Sequence, residues 1–202
     1  MSFNGPCFFI IMGVAGSGKT TVGRALAAAL GWEFYDGDDY HPPENIAKMA
    51  AGIPLRDADR YPWLETLRCL IASRLRDGRS FVLACSALKA EYRDVLLKDN
   101  PGGQLIYLKG DYALIRDRLL RRSGHYMKPE LLDSQLEALE EPDHAFTVDI
   151  RLTVDEIVRR IITVFFKNPD ESVQIERKIE FLPESVSSQK IMLPNGYCSA
   201  KR

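Results

Sequence analysis

The chain has 202 residues, enough for one well-packed α/β domain and too short for two of ordinary size. Its 27 basic and 28 acidic residues nearly cancel, and the cations are spread along the sequence, which argues against a broad electrostatic footprint for nucleic acid or an anionic membrane and favours a small anionic ligand. No apolar stretch approaches the roughly 20 residues that cross a bilayer, and Cys7, Cys69, Cys85 and Cys198 form no C-x-x-C pair, so the expectation is a cytoplasmic protein with buried free thiols.

The first predicted strand covers residues 8–12. It lacks a basic leading segment and passes directly into a glycine-rich loop, so it reads as a strand and not an export signal. That loop, Gly13-Val14-Ala15-Gly16-Ser17-Gly18-Lys19-Thr20, fills every fixed position of G-x-x-x-x-G-K-[ST]. Glycines let the backbone turn its N–H groups toward phosphate, and the helix that follows adds about half a positive charge behind them. A nucleoside triphosphate is therefore the expected ligand, with Lys19 reaching the β- and γ-phosphates and the Thr20 hydroxyl on Mg²⁺. Thr21 belongs with the nucleotide-holding residues and opens a helix on which Val22, Leu26 and Leu30 recur four apart.

A second strand over 33–36 runs into Asp36-Gly37-Asp38-Asp39-Tyr40-His41-Pro42. Ligands of open parallel sheets sit at such strand ends. Asp36 and Asp38 are candidates for two jobs: holding a water ligand of Mg²⁺ and taking the proton of an acceptor hydroxyl. Two readings are open for Arg60: a forked pair with a substrate carboxylate, or an ion pair with Asp57 or Asp59. The next helix carries the stripe Trp63, Leu67, Leu70, Ile71.

The third strand, 81–85, ends without the aspartate by which motor ATPases and switch GTPases hold Mg²⁺, and no Asn-Lys-x-Asp is present to read guanine. It continues as Ser86-Ala87-Leu88-Lys89, with Lys89 open between a site cation and a solvated lysine. Tyr92, Val95 and Leu96 mark a further helix, and 104–108 the fourth strand. A helix bearing Leu114, Arg118 and Leu119 ends in a basic cluster where Arg118 and Arg122 lie four apart, then reaches Ser123-Gly124-His125 and a short helical stretch at 129–139. Arginines leading into a small separate helix are what a lid over 123–142 needs, to neutralise a transferring phosphoryl group and exclude water. The fifth strand is 146–149, and Thr153 and Glu156 have capping-box spacing before the last core helix. Strands alternating with helices predict a parallel sheet covered on both faces. A core domain over 1–166 is expected, with 167–202 as an extension of more polar texture. None of His41, His125 and His144 has metal-ligand spacing with another His or Cys.

Taken together, the loop 13–20, Asp36-Gly37-Asp38-Asp39-Tyr40-His41-Pro42, Pro54-Leu55-x-Asp57-x-Asp59-Arg60-x-Pro62-Trp63, Cys85-Ser86-Ala87-Leu88-Lys89 with Tyr92-Arg93-Asp94, and Gly124-His125 closely resemble the gluconokinase family, in the same order across residues 8–166. Only the first motif is generic. The resemblance implies transfer of the ATP γ-phosphoryl group to the 6-hydroxyl of D-gluconate, with 6-phosphogluconate entering the pentose phosphate route. It also implies a P-loop kinase fold: a three-layer α/β sandwich with a five-stranded parallel sheet of order 2-3-1-4-5, a helical lid, and commonly a homodimer. Carried onto this sequence, it makes Asp38 the acceptor-side base, leaves Asp36 beside Thr20 on the metal side, and makes Arg60 the carboxylate anchor. Arg122, with Arg118, becomes the lid cation, and His41, Ser86, Lys89 and His125 are second-rank substrate contacts. The tail after residue 166 departs from the family core. Two rivals remain, a kinase for shikimate or another sugar acid and a non-catalytic nucleotide-binding protein.

Overall fold

The computed structural model describes residues 5–100, 102–121 and 131–166. Five strands, β1 (Phe8–Met12), β2 (Glu33–Asp36), β3 (Phe81–Ala84), β4 (Gly103–Lys109) and β5 (Phe146–Asp149), form one parallel sheet in the order β2-β3-β1-β4-β5. Between them run α1 (Lys19–Leu30), a 3₁₀ turn (Gly37–Tyr40), α2 (Pro43–Ala50), α3 (Asp57–Arg76), α4 (Ala90–Leu97), α5 (Tyr112–Arg121) and α6 (Leu131–Glu137), and α7 (Val154–Phe165) follows β5.

β1 is central, paired on both sides and fully buried, which is why it reads as an unbroken apolar run without alternation. Alternate side chains still serve opposite faces. Phe9 and Ile11 enter the core beneath α1 and α7 with Leu26, Ile157 and Ile161. Phe8, Ile10 and Met12 pack on the other face against Trp63, Leu64 and Leu67 of α3 and Tyr92 and Leu96 of α4. The chain leaves β1 toward the β2 edge and later crosses to begin β4 on the other side, so the carboxyl end of β1 lies at the topological switch point where such sheets open a crevice.

Local signals explain most boundaries. The capping box is present at α7: the Thr153 N–H donates to Glu156 Oε2 at 2.8 Å, and the Glu156 N–H to Thr153 Oγ1 at 3.3 Å. Strand ends shift by a residue, with β3 stopping at Ala84 and β4 running one residue further at each end than expected. On α3 the buried stripe is Trp63, Leu64, Leu67 and Ile71, with Leu70 only half-buried, because a 3.6-residue period favours Leu64 over Leu70 beside Leu67 and Ile71. The expected extension over 167–202 lies outside the described residues. No helix among the described residues is long and apolar enough to cross a membrane.

Candidate active site

The glycine-rich loop joins β1 to α1 and takes its shape from three residues with positive φ, Gly13 (144°), Gly16 (83°) and Gly18 (98°). Side chains rarely adopt this region. At Gly16 space is the second constraint, since a Cβ there would stand 2.8 Å from Leu119 Cγ. Gly18 caps α1 with its backbone, so the helix starts at Lys19, two residues earlier than its apolar spacing indicates. The Lys19 Nζ reaches back across the loop to donate to the Val14 carbonyl at 3.1 Å. The ammonium and the N-terminus of α1 thus lie together at the glycine-rich loop, a pairing suited to phosphate.

The loop forms one wall of a cleft of about 950 Å³. Across from it stands the acidic turn. Thr20 Oγ1 donates to Asp36 Oδ2 at 2.8 Å, and the Asp38 backbone N–H donates to Asp36 Oδ1 at 3.2 Å. Asp36 is therefore gripped through both oxygens, while the side chain of Asp38 also lines the cleft. The turn itself is pressed onto β3: the Trp63 indole N–H donates to the Gly37 carbonyl at 2.7 Å, and a Cβ on Gly37 would lie 2.7 Å from the Ala84 carbonyl. Thr20 and Asp36 offer two hard oxygens side by side, a donor set that fits Mg²⁺ completed by water and phosphate oxygens.

His41 stacks on Trp63 with ring centroids 4.2 Å apart, and its Nδ1 lies 3.4 Å from the Asn45 amide. Burial, and secondarily the Arg60 guanidinium, lower its pKa to about 4. The imidazole is neutral at neutral pH. Because the unfolded chain titrates near the ordinary value of about 6.5, it binds a proton between those pH values that the folded protein refuses. The stability His41 contributes above pH ~6.5 is thus lost as pH falls toward 4. His41→Phe, which keeps an aromatic ring on Trp63, is expected to lose less stability than wild type between pH 7 and pH 5 in urea unfolding; equal losses would remove His41 as the cause.

Arg60 lines the same cleft from α3. Its Nη1 donates to the Tyr92 hydroxyl at 3.2 Å and lies 3.6 Å from Asp57 Oδ1, whereas Asp59 is held by Lys48 at 2.6 Å. Ser86 also lines the cleft, and its carbonyl accepts the Gly13 N–H at 3.3 Å. Lys89 points elsewhere. It is absent from the cleft lining and bonds Asp57 Oδ2 at 2.7 Å. The turn between them carries Ala87 at φ 44°, a strained conformation for a residue with a Cβ. Arg93 holds it there: buried, it donates to the carbonyls of Ala87, Leu88 and Glu140 at 3.1, 2.9 and 3.0 Å. Burial pushes the Cys85 thiol up to about 12, so Cys85 is a protonated filler behind the site.

At the other end of the cleft, Ile150, Leu152, Val154 and Ile157 supply an apolar wall beside Arg118 and Arg121. Arg118 Nη2 donates to the Ile150 carbonyl at 2.7 Å, tying α5 to the segment after β5. Arg122 and His125 lie outside the described residues. From α6, Gln135 Oε1 accepts the Ala15 N–H of the loop at 2.7 Å, so α6 reaches the glycine-rich loop directly.

This arrangement has known relatives. The shikimate kinase family model matches residues 15–167. A probable gluconokinase of Mus musculus is 45% identical over 177 residues, covering 78% of this chain and 96% of the mouse protein. The thermosensitive gluconokinase of Escherichia coli is 45% identical over 153 residues, covering 76% of this chain and 82% of that protein. The chain belongs to the gluconokinase family, within the shikimate-kinase-type P-loop kinases. A crystal structure of a gluconokinase from Sinorhizobium meliloti superposes with TM-score 0.67 at 40% identity, covering 87% of this chain and 94% of that one. Membership of the gluconokinase family carries ATP-dependent kinase chemistry with it. Three residues at or beside the cleft make polar contacts that the sequence does not signal. In the sequence Tyr92 reads as part of an apolar stripe and of a family motif, Asp57 as a motif residue and a rival partner for Arg60, and Gln135 has no role assigned. Their polar ends meet residues 32 to 120 positions away in sequence, which periodicity does not register.

Proposed function

We propose that this protein is a gluconokinase, transferring the γ-phosphoryl group of ATP to the 6-hydroxyl of D-gluconate. The observation that carries the reading is that the glycine-rich loop, Asp38 and Arg60 line one cleft, so groups suited to a donor phosphate, an acceptor hydroxyl and an acceptor carboxylate share it. The gluconokinase names of the relatives supply the acceptor.

In this mechanism the loop amides and Lys19 hold the β- and γ-phosphates and take up charge that builds on the transferring group. Thr20 and Asp36 would hold Mg²⁺, which would supply neutralisation of phosphate charge. Arg60 grips the gluconate carboxylate through its planar fork, which fixes the far end of the chain and brings the 6-hydroxyl to Asp38. Asp38 orients that hydroxyl and accepts its proton as the new O–P bond forms and the bond from the γ-phosphorus to the bridging oxygen breaks, that oxygen leaving with ADP. Neutral His41 and Ser86, which line the cleft, are assigned the intervening hydroxyls. Arg118, on the cleft wall, is assigned the neutralisation of the phosphoryl oxygens, a role that the family resemblance shares with Arg122. The same reading makes the enzyme a cytoplasmic homodimer, for which light scattering after gel filtration is the direct test of assembly.

Release of ADP with ATP and Mg²⁺ is measured against D-gluconate, shikimate, D-glucose and no acceptor. Gluconate-dependent release is the expected result. Release with shikimate alone would keep the phosphoryl chemistry and overturn the acceptor, and nucleotide binding without transfer to any acceptor would overturn the enzyme. Arg60→Ala is expected to raise the gluconate KM by about 10- to 100-fold, the worth of a charge-assisted bond, with kcat falling less. An unchanged KM would rule out Arg60 as the carboxylate anchor.

A further inference from the structure

Arg60 can serve an incoming carboxylate only if the carboxylate already beside it does not claim it. Asp57, at the first turn of α3, lies one helical turn from Arg60 and is the obvious competitor. Both of its oxygens are engaged by other groups. Oδ2 accepts from Lys89 Nζ at 2.7 Å, and Oδ1 accepts from the Tyr92 hydroxyl at 2.5 Å. Arg60 stands off at 3.6 Å from Oδ1 and bonds instead to the Tyr92 hydroxyl at 3.2 Å. The Tyr92 ring, 2% exposed, fixes the spacing, with the Arg60 guanidinium 5.7 Å and the Lys89 ammonium 5.5 Å from its centroid.

The two cations are thus used differently. Lys89 sits outside the cleft lining and gives its charge chiefly to Asp57, while Arg60 lines the cleft, bonds the Tyr92 hydroxyl and keeps only the longer 3.6 Å contact with Asp57. Glu91 is the other acid near Lys89, at 3.6 Å, and its Oε2 accepts from the Tyr61 hydroxyl at 2.8 Å. The shorter contact makes Asp57 the main partner of Lys89.

We propose that Lys89 is a positioning residue for the acceptor: by occupying Asp57 across the Tyr92 hydroxyl, it keeps that carboxylate from drawing Arg60 out of the cleft, and so sets affinity for an anionic acceptor. The proposal rests on the reading of Arg60 as the carboxylate anchor. It departs from a direct role of Lys89 on substrate, and the two roles respond oppositely to removal of Asp57.

Lys89→Met, Lys89→Arg, Asp57→Asn/Lys89→Met and Arg60→Ala are compared by gluconate KM and kcat with ATP saturating, each variant first checked for an unchanged thermal midpoint. Lys89→Met is expected to raise the gluconate KM about 3- to 10-fold, the scale of a partly screened charge pair, with kcat falling far less. Lys89→Arg, which keeps the charge, is expected to hold KM within about twofold of wild type. The decisive arm is the double variant, in which loss of the Asp57 charge is expected to return KM most of the way to the wild-type value. A double variant as impaired as Lys89→Met would overturn the proposal, because Lys89 would then be touching substrate itself. If Lys89→Met leaves KM unchanged while Arg60→Ala raises it, the positioning role fails and the anchor stands. If neither variant moves KM, both fall.

Discussion

Lys19→Ala is expected to lower kcat by about 10³-fold or more, with the fold and thermal midpoint nearly unchanged. The size follows from where the ammonium sits. Its Nζ lies across the mouth of the loop, 3.1 Å from the Val14 carbonyl, at the positive end of α1 and in a partly enclosed cleft where a fixed charge acts more strongly than in water. Charge develops on the phosphoryl oxygens during transfer, so the loss falls more on the transition state than on bound ATP. Stability is expected to survive because the loop is shaped by Gly13, Gly16 and Gly18 and by α1 docking on the sheet through Val22 and Leu26, none of which needs the ammonium. The measurement is kcat beside nucleotide affinity from titration and a melting curve. A variant retaining more than a tenth of wild-type kcat would exclude Lys19 from the phosphoryl-transfer step.

Much of this architecture was legible because its signals are local. The loop motif, the apolar runs of the central strands and the Thr153–Glu156 capping box each lie within a few residues, and each occurs where the sequence indicated. The strand order came from the family resemblance, since alternation of strands and helices is compatible with several orders. At the site, Asp36 and Asp38 were legible from their place at a strand end, and the structure adds the grip of Thr20 on Asp36. Contacts between distant segments were not legible. Nothing in Lys89 or Asp57 says that they meet, because their pairing depends on α3 and α4 packing on the same sheet face. Sequence left Arg60 between a substrate anchor and a partner of Asp57 or Asp59; the structure gives Asp59 to Lys48 and accommodates the Asp57 contact at 3.6 Å while leaving Arg60 on the cleft wall. Gln135 is the same case over a longer span, since its contact with Ala15 exists only once α6 folds back over the loop.

Asp38→Asn is expected to lower kcat by about 10²- to 10⁴-fold while ATP affinity stays close to wild type. The separation is expected because the two functions of this residue use different atoms. What binds the acidic turn together is the backbone N–H of Asp38, donated to Asp36 at 3.2 Å, and the substitution leaves it in place. Asp36 keeps Thr20 Oγ1 at 2.8 Å, and the Trp63 indole keeps the Gly37 carbonyl, so the wall of the cleft that faces the phosphates is preserved. Only the basic oxygen is lost. An amide of the same shape still accepts a hydrogen bond from the acceptor hydroxyl, so gluconate KM is expected to move by less than about tenfold, while proton acceptance during O–P bond formation is gone. The check is a kcat and KM comparison at pH 7 with nucleotide affinity from equilibrium titration. Wild-type kcat in Asp38→Asn would remove the base assignment and leave positioning by Lys19 and Arg60 to carry catalysis. A matched loss of ATP affinity would instead make Asp38 part of the nucleotide and metal side of the cleft, together with Asp36.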